Sequence, residues 1–142
     1  MARILVSGCL LGFDCRYKGD NCKCQRLLDL QKEHTLIPVC PEQMGGLRTP
    51  RKPSERVGDK VMSSGGRNVT KQFVKGAEAA LETALIAQVD FAILKAKSPS
   101  CGKGIIYDGT FTGAKIPGNG VTTELLLAHH IPVYTEEDEW PV

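Results

Sequence analysis

Arg3-Ile4-Leu5-Val6-Ser7-Gly8-Cys9-Leu10-Leu11-Gly12 stands near the start of the chain, and its reading decides the fold. Its first half is a short, unbroken apolar run, the pattern of a strand buried on both faces. Ser-Gly-Cys then ends the run, so a thiol stands just beyond the strand. Two later stretches repeat the arrangement. Thr35–Val39 is an apolar run stopped by Cys40-Pro41. Residues 90–95, with Phe91, Ala92, Ile93 and Leu94, form a third run, and Cys101 follows in Ser98-Pro99-Ser100-Cys101-Gly102.

The segments between these runs read as helices. Residues 22–33 carry Leu27, Leu28 and Leu30 among polar positions. Thr70 is an expected N-cap for the clearest helix, in which Phe73, Val74, Ala77, Ala80, Leu81, Ala84 and Leu85 recur at helical spacing. Residues 122–129 give a third helix and 131–134 a fourth short strand, followed by an acidic tail. Residues 12–21 are loop-like, and 98–120 are polar and glycine-rich. Residues 45–67 form an excursion rich in Gly, Pro, Lys and Arg, with a small hairpin expected to turn at Ser63-Ser64-Gly65-Gly66. Strands separated by helices imply right-handed crossovers and a parallel sheet. The predicted fold is α/β, a small open, mostly parallel four-stranded sheet with helices on both faces. This is a Rossmann-like three-layer arrangement with one glycine/proline-rich excursion, and residues 1–142 are expected to form one domain without repeats or linkers.

Composition narrows the function. At 142 residues with 42% hydrophobic and 24% charged content, a core of ordinary size is available, so disulfides are not needed to hold the fold. A net charge of +2 is too small to argue for nucleic acid or a membrane surface. No apolar run approaches the ~20 residues of a membrane span, and the expected location is cytoplasmic. Six cysteines are many for such a protein. In a reducing compartment clustered thiols point to metal or catalysis, although any single cysteine is more often a small buried hydrophobe.

Cys9, Cys40 and Cys101 each follow a strand, and ligand sites in open parallel sheets form outside the carboxyl ends of the strands. The topology therefore gathers three residues far apart in sequence at one sheet edge. Three thiolates suit several metals. Structural zinc normally takes four ligands and catalytic zinc usually includes histidine, but His34, His129 and His130 stand at helix ends. A 4Fe–4S cluster held by three cysteines instead of the usual four leaves one iron open as a Lewis acid for a soft atom such as sulfur. Cys15, Cys22 and Cys24 read as loop thiols, with a second metal site or a fourth ligand left open. Glu42, two residues after Cys40, and Ser98 and Ser100, before Cys101, are the acid–base and hydrogen-bonding candidates. Asp108, in Tyr107-Asp108-Gly109-Thr110-Phe111, and Ser7 are placed on the substrate side. Arg48, Arg51 and Arg56 read as surface charges.

These motifs, in order, resemble those of the small bacterial proteins, long labelled a domain of unknown function, that include iron–sulfur thiouracil desulfidases. The resemblance runs through Ser-Gly-Cys-Leu-Leu-Gly (7–12), Arg16-Tyr17-x-Gly19 and Cys40-Pro41-Glu42 with Gly46-Leu47 and Thr49-Pro50-Arg51. It continues through Val69-Thr70 with Phe73, Gly76 and Ala77, then residues 98–102, 107–111 and Gly118-x-Gly120-Val121-Thr122. It implies a 4Fe–4S cluster on Cys9, Cys40 and Cys101, and acid–base roles for Glu42 and a serine of Ser98-Pro99-Ser100. It also implies a non-redox reaction in which water replaces the sulfur of a thiolated base such as 2-thiouracil. The expected partner is that small molecule, with no nucleic acid and no membrane, and a homodimer is left open. The rival readings are a metal- or sulfide-storing protein without turnover, a zinc-binding hydrolase-like protein, and an electron carrier.

Overall fold

The computed structural model describes all 142 residues. Its central sheet is built from β1 (Arg3–Ser7), β2 (Thr35–Val39), β5 (Phe91–Leu94) and β8 (Val133–Thr135), all parallel, in the order β2-β1-β5-β8. Ile4 to Val6 and all of β5 are buried, as expected for central strands covered on both faces. Pro38, opposite Val6, has no N–H to donate, so β2 belongs at an edge. The side-chain alternation of β1 divides the core. Leu5 faces a cluster with Ala84 of α3 (Thr70–Ala87) and Leu126 of α4 (Val121–Ala128). Ile4 and Val6 face a second cluster with Leu10 and Leu27, beneath a 3-10 turn (Gly8–Leu11) and the short α1 (Gln25–Leu28). Helical elements thus cover both faces, as predicted.

Local differences from the sequence expectation have identifiable causes. The helix expected over 22–33 is α only in α1, continued by a 3-10 turn at Asp29–Lys32. Upstream, the N–H groups of Cys22 and Cys24 donate to the carbonyls of Cys9 and Leu10 (2.9 and 2.8 Å), holding that stretch extended. The excursion does contain a hairpin, β3 (Ser54–Val57) with β4 (Lys60–Ser63), but it turns at Gly58-Asp59, where Gly58 has φ +60°. Residues 63–66 form the next turn, closed by Gly66 N–H to Ser63 O. The glycine-rich stretch 98–120 holds another hairpin, β6 (Ile105–Tyr107) with β7 (Lys115–Pro117). A one-turn helix after β2, α2 (Pro41–Met44), was not expected. Its packing on α3 is backbone on backbone: a Cβ on Gly76 would lie 1.8 Å from Pro41 O, and one on Gly45 1.9 Å from Gln72 O. Glycine is required at both positions.

Candidate active site

The sheet order reverses next to β1. The chain crosses from β1 to β2 on one side and later enters β5 on the other, which opens a crevice outside the carboxyl ends of β1 and β5. Cys9 lies in the 3-10 turn after β1, Cys40 at the N-cap of α2 after β2, and Cys101 in the turn after β5. All three line one cavity of about 600 Å3, together with Cys15, Glu42 and Ser98.

Each thiol is fixed by its own anchor. Behind Cys101, the Ser98 hydroxyl accepts the N–H groups of Ser100 (3.1 Å) and Cys101 (3.0 Å). The first turn of α4 secures the same loop: Thr122 Oγ1 and Ser100 Oγ share a hydrogen bond of 2.8 Å, and Thr123 Oγ1 donates to Cys101 O. A Cβ on Gly120 would sit 2.3 Å from the Ser100 carbonyl carbon, so α4 reaches this turn only through glycine. Ser7, almost fully buried, accepts the Lys95 N–H (2.9 Å), and its hydroxyl and that of Ser100 hydrogen-bond the Cys101 sulfur. Burial pushes the Cys101 thiol up to about 12, with the Ser7 and Ser100 bonds acting in the opposite direction.

Cys15 occupies an unexpected place. Its sulfur is buried and contacts the thiols of both Cys9 and Cys40, and its carbonyl is 3.7 Å from the Cys40 sulfur. The Cys40 contact lowers the Cys15 thiol, but Cys9 and burial outweigh it and carry it up to about 11. Cys40 is raised above the usual thiol range by Cys15 first and by burial second. These thiols hold their protons at neutral pH until a metal displaces them.

Glu42 projects from α2 into the cavity and is paired with Arg51, which was read from sequence as a surface charge. Glu42 Oε2 accepts from Arg51 Nε (3.1 Å) and Nη2 (2.7 Å), while Oε1 has no protein partner. Arg51 also donates to the carbonyls of Arg48 and Cys15 and to Thr49 Oγ1. Arg56, another of those arginines, pairs with Glu124 (2.6 Å). A second cation, Lys95, lines the cavity and pairs with Glu136 at 2.8 Å. Desolvation opposes its charge, but the Glu136 bond more than compensates, so it stays protonated.

The other predicted residues divide. Ser7 and Ser98 line the cavity; Ser100 is fully buried behind it, and Asp108 lies outside the lining. The Asp108 carboxylate instead accepts the N–H and hydroxyl of Thr110, which hold its pKa below the usual carboxylate range. Cys22 and Cys24 pack at the margin of the second core cluster, and His34 Nδ1 accepts the Ala2 N–H.

A 2-thiouracil desulfurase family model matches residues 4–138. The chain belongs to that family. It is 39% identical over 145 residues to the uncharacterized protein YbbK of Bacillus subtilis strain 168, across 95% of this chain and 96% of that one. It superposes on the solved structure of the 4Fe–4S-dependent thiouracil desulfidase TudS with a TM-score of 0.91, at 45% identity, covering 96% of this chain and 92% of that one. The resemblance read from the motifs and the predicted fold class are thereby confirmed.

In this desulfurase-family chain no three Cys, His, Asp or Glu side chains converge closely enough to hold one metal ion. Sulfurs set around a cavity, rather than about a point, suit a polynuclear cluster whose irons lie apart from one another. Arg51 and Lys95 supply positive charge beside thiolates that a bound cluster requires. The donor set therefore fits a 4Fe–4S group. Sequence reasoning passed over Arg51 and left Cys15 open. The string holds no signal that sets Arg51 apart from Arg48, or Cys15 apart from the other loop thiols.

Proposed function

We propose that this protein is a non-redox desulfidase that converts a thiolated nucleobase such as 2-thiouracil, with water, into the oxo base and hydrogen sulfide. The reading rests most heavily on one observation: Cys9, Cys40 and Cys101, from three strand ends, share a cavity with the Glu42 carboxylate in a chain of this family. The enzyme is iron–sulfur dependent, and its cofactor is a 4Fe–4S cluster. Cys9, Cys40 and Cys101 are the thiolates that hold it. When bound, the cluster supplies an iron free of protein thiolate, a Lewis acid suited to a thiocarbonyl sulfur.

The protein's part is orientation and proton handling. Glu42, steadied through Oε2 by Arg51, keeps Oε1 free to take a proton from the attacking water and return it to the departing sulfur. The Arg51 pair fixes the direction of the carboxylate. The Ser98 hydroxyl accepts two backbone N–H groups, so its own proton remains available to orient water or the oxygen of the base. Ser7 and Ser100 act through the Cys101 sulfur that they hydrogen-bond. All six cysteines are free thiols, which accords with a reducing, cytoplasmic setting, and no helix is long and apolar enough to cross a membrane.

Anaerobic reconstitution followed by iron and sulfide analysis and a 2-thiouracil assay tests the reading. The protein should take up about four iron and four sulfide per chain and release uracil and sulfide in equal amounts. Glu42→Gln should keep the cluster and substrate affinity while turnover falls ~100-fold or more, the scale of a general acid–base group. A fully loaded cluster without any sulfide release would leave a binding protein and sink the enzymatic assignment.

A further inference from the structure

The wall of the cavity carries a residue whose backbone is held against its own preference. Phe111 has φ +57°, the left-handed region that a bulky side chain enters only when its surroundings compel it. The loop around it is fixed on several sides. Glu55 Oε1, from β3, accepts the N–H groups of Gly109 (3.0 Å) and Phe111 (3.2 Å). Asp108 Oδ1 accepts the Thr110 N–H and hydroxyl at 2.9 and 2.6 Å. Gly109 approaches β3 so closely that a Cβ there would lie 2.4 Å from Val57 Cγ2, and strands β6 and β7 clamp the loop at both ends.

Such over-determination needs an outcome, and packing does not provide one. The Phe111 ring belongs to none of the three core clusters and remains 38% exposed on the cavity wall. Tyr107, at the end of β6, lines the same cavity. Glu55 lines it too, and its Oε2 has no protein partner. An immobilised aromatic face therefore stands beside a free carboxylate oxygen, in the space that also contains Glu42 and the thiols.

We propose that Phe111 and Glu55 form the recognition wall of this cavity: a planar heterocycle stacks on Phe111 and donates a ring N–H to Glu55 Oε2. The proposal deepens the desulfidase reading and rests on it for the identity of the reacting thiocarbonyl. It explains the strain, because the left-handed turn is what presents the ring to the cavity. It also sets selectivity. Stacking on a flat aromatic face disfavours acyclic or puckered thioamides.

The test uses anaerobic calorimetry on the cluster-loaded protein with three unreactive probes: uracil, dihydrouracil and uracil methylated on its ring nitrogens. Dihydrouracil keeps the hydrogen-bonding edges of uracil but has a puckered, non-aromatic ring. Wild type should prefer uracil to both other probes. Phe111→Gly, which relieves the backbone strain, should weaken uracil ~10–100-fold, the worth of one base–aromatic stack, and leave dihydrouracil within ~3-fold. Phe111→Tyr should restore uracil binding. Glu55→Gln keeps an acceptor for the loop N–H groups but offers a donor where the base N–H arrives, so it should erase the preference for uracil over its methylated form. Equal weakening of uracil and dihydrouracil in Phe111→Gly, with iron content retained, would mean only a structural role and would overturn the proposal. So would no change, or no measurable uracil binding by wild type. The expected binding pattern without conversion of 2-thiouracil would uphold the wall while refuting the desulfidase. Conversion by wild type with unaltered binding in Phe111→Gly would do the reverse.

Discussion

Replacing Arg51 with Met tests how the site is held together. The five side-chain N–H groups of Arg51 match five contacts: two to Glu42 Oε2, and one each to Cys15 O, Arg48 O and Thr49 Oγ1. The side chains of Arg51 and Glu42 are only 11% and 19% exposed, with a shortest contact of 2.7 Å. Removing one member of a fully buried ion pair costs ~3–5 kcal/mol, because the other charge is left unpaired. Residual exposure lets water reach Glu42 and trims this to ~2–3 kcal/mol. With an m-value of ~2 kcal/mol/M, the urea midpoint of the cluster-free, reduced protein should fall by ~1–1.5 M. Glu42→Gln alone should cost less, since Gln still accepts from Arg51. In the double variant no charge is left orphaned, so its cost should undercut the sum of the single losses by ~1–2 kcal/mol. Loss of Arg51 also frees the Cys15 backbone and the Glu42 carboxylate, so reconstituted iron should leave faster to a chelator. A midpoint within ~0.3 M of wild type, or strictly additive losses, would refute the view that this pair organises the site.

Further expectations follow from the other anchors. Gly76→Ala must push α2 from α3, because its Cβ would meet Pro41 O at 1.8 Å; a loss of ~1–3 kcal/mol is the usual scale for overpacking, and reduced iron uptake should accompany it, whereas unchanged iron content would show that α2 does not set the Cys40 position. Cys9→Ala, Cys40→Ala and Cys101→Ala should each abolish cluster uptake, while Cys22→Ala and Cys24→Ala keep it, as read by iron and sulfide analysis; loss of iron in Cys22→Ala would bring that residue into the site. Because burial raises Cys101 from 9.0 to about 12, the unfolded chain gives up this proton first: cluster-free stability is full below pH about 9 and declines towards pH about 12, by up to ~1.4 kcal/mol per pH unit for this one thiol. Cys101→Ser should flatten that decline in urea titrations between about pH 8 and pH 10.5, and parallel curves would contradict it.

What was legible in the sequence is what burial writes there. β1 and β5 are covered on both faces, so they appear as unbroken apolar runs, and α3 buries one stripe, so Phe73, Ala77, Ala80 and Ala84 recur at helical spacing. The thiols were found because they end those runs. The elements that were missed have no apolar signature of their own. β7 is exposed along its whole length, β6 buries only Ile106, and α2 is four residues resting on two glycines. Arg51 could not be distinguished from Arg48 in the string, because what separates them is a carboxylate nine residues away brought near by the turn at α2. Cys15 carries no spacing motif; its place beside Cys9 and Cys40 follows from the loop folding back, with Phe13 N–H donating to Gly8 O and Cys22 N–H to Cys9 O.

The sheet and the site are secured by different forces, and this shapes how the site fails. Apolar burial fixes where β1, β2 and β5 end, but it does not fix where a thiol points. That direction comes from polar and steric contacts peculiar to each turn. For Cys101 they are the Ser98 hydroxyl and the α4 threonines; for Cys40, the glycine contact between α2 and α3; for Cys9, the 3-10 turn whose carbonyl accepts the Cys22 N–H. The three anchors share no side chain. Damage to one should displace a single thiol and leave the other two in place, within a sheet whose core is untouched. Such variants should fold and yet lose the cluster, which separates the fold's stability from its chemistry. Arg51 is the exception, because it ties the Cys15 and Arg48 carbonyls, the Thr49 hydroxyl and the Glu42 carboxylate together, and for that reason its loss should be felt in stability and in iron retention at once.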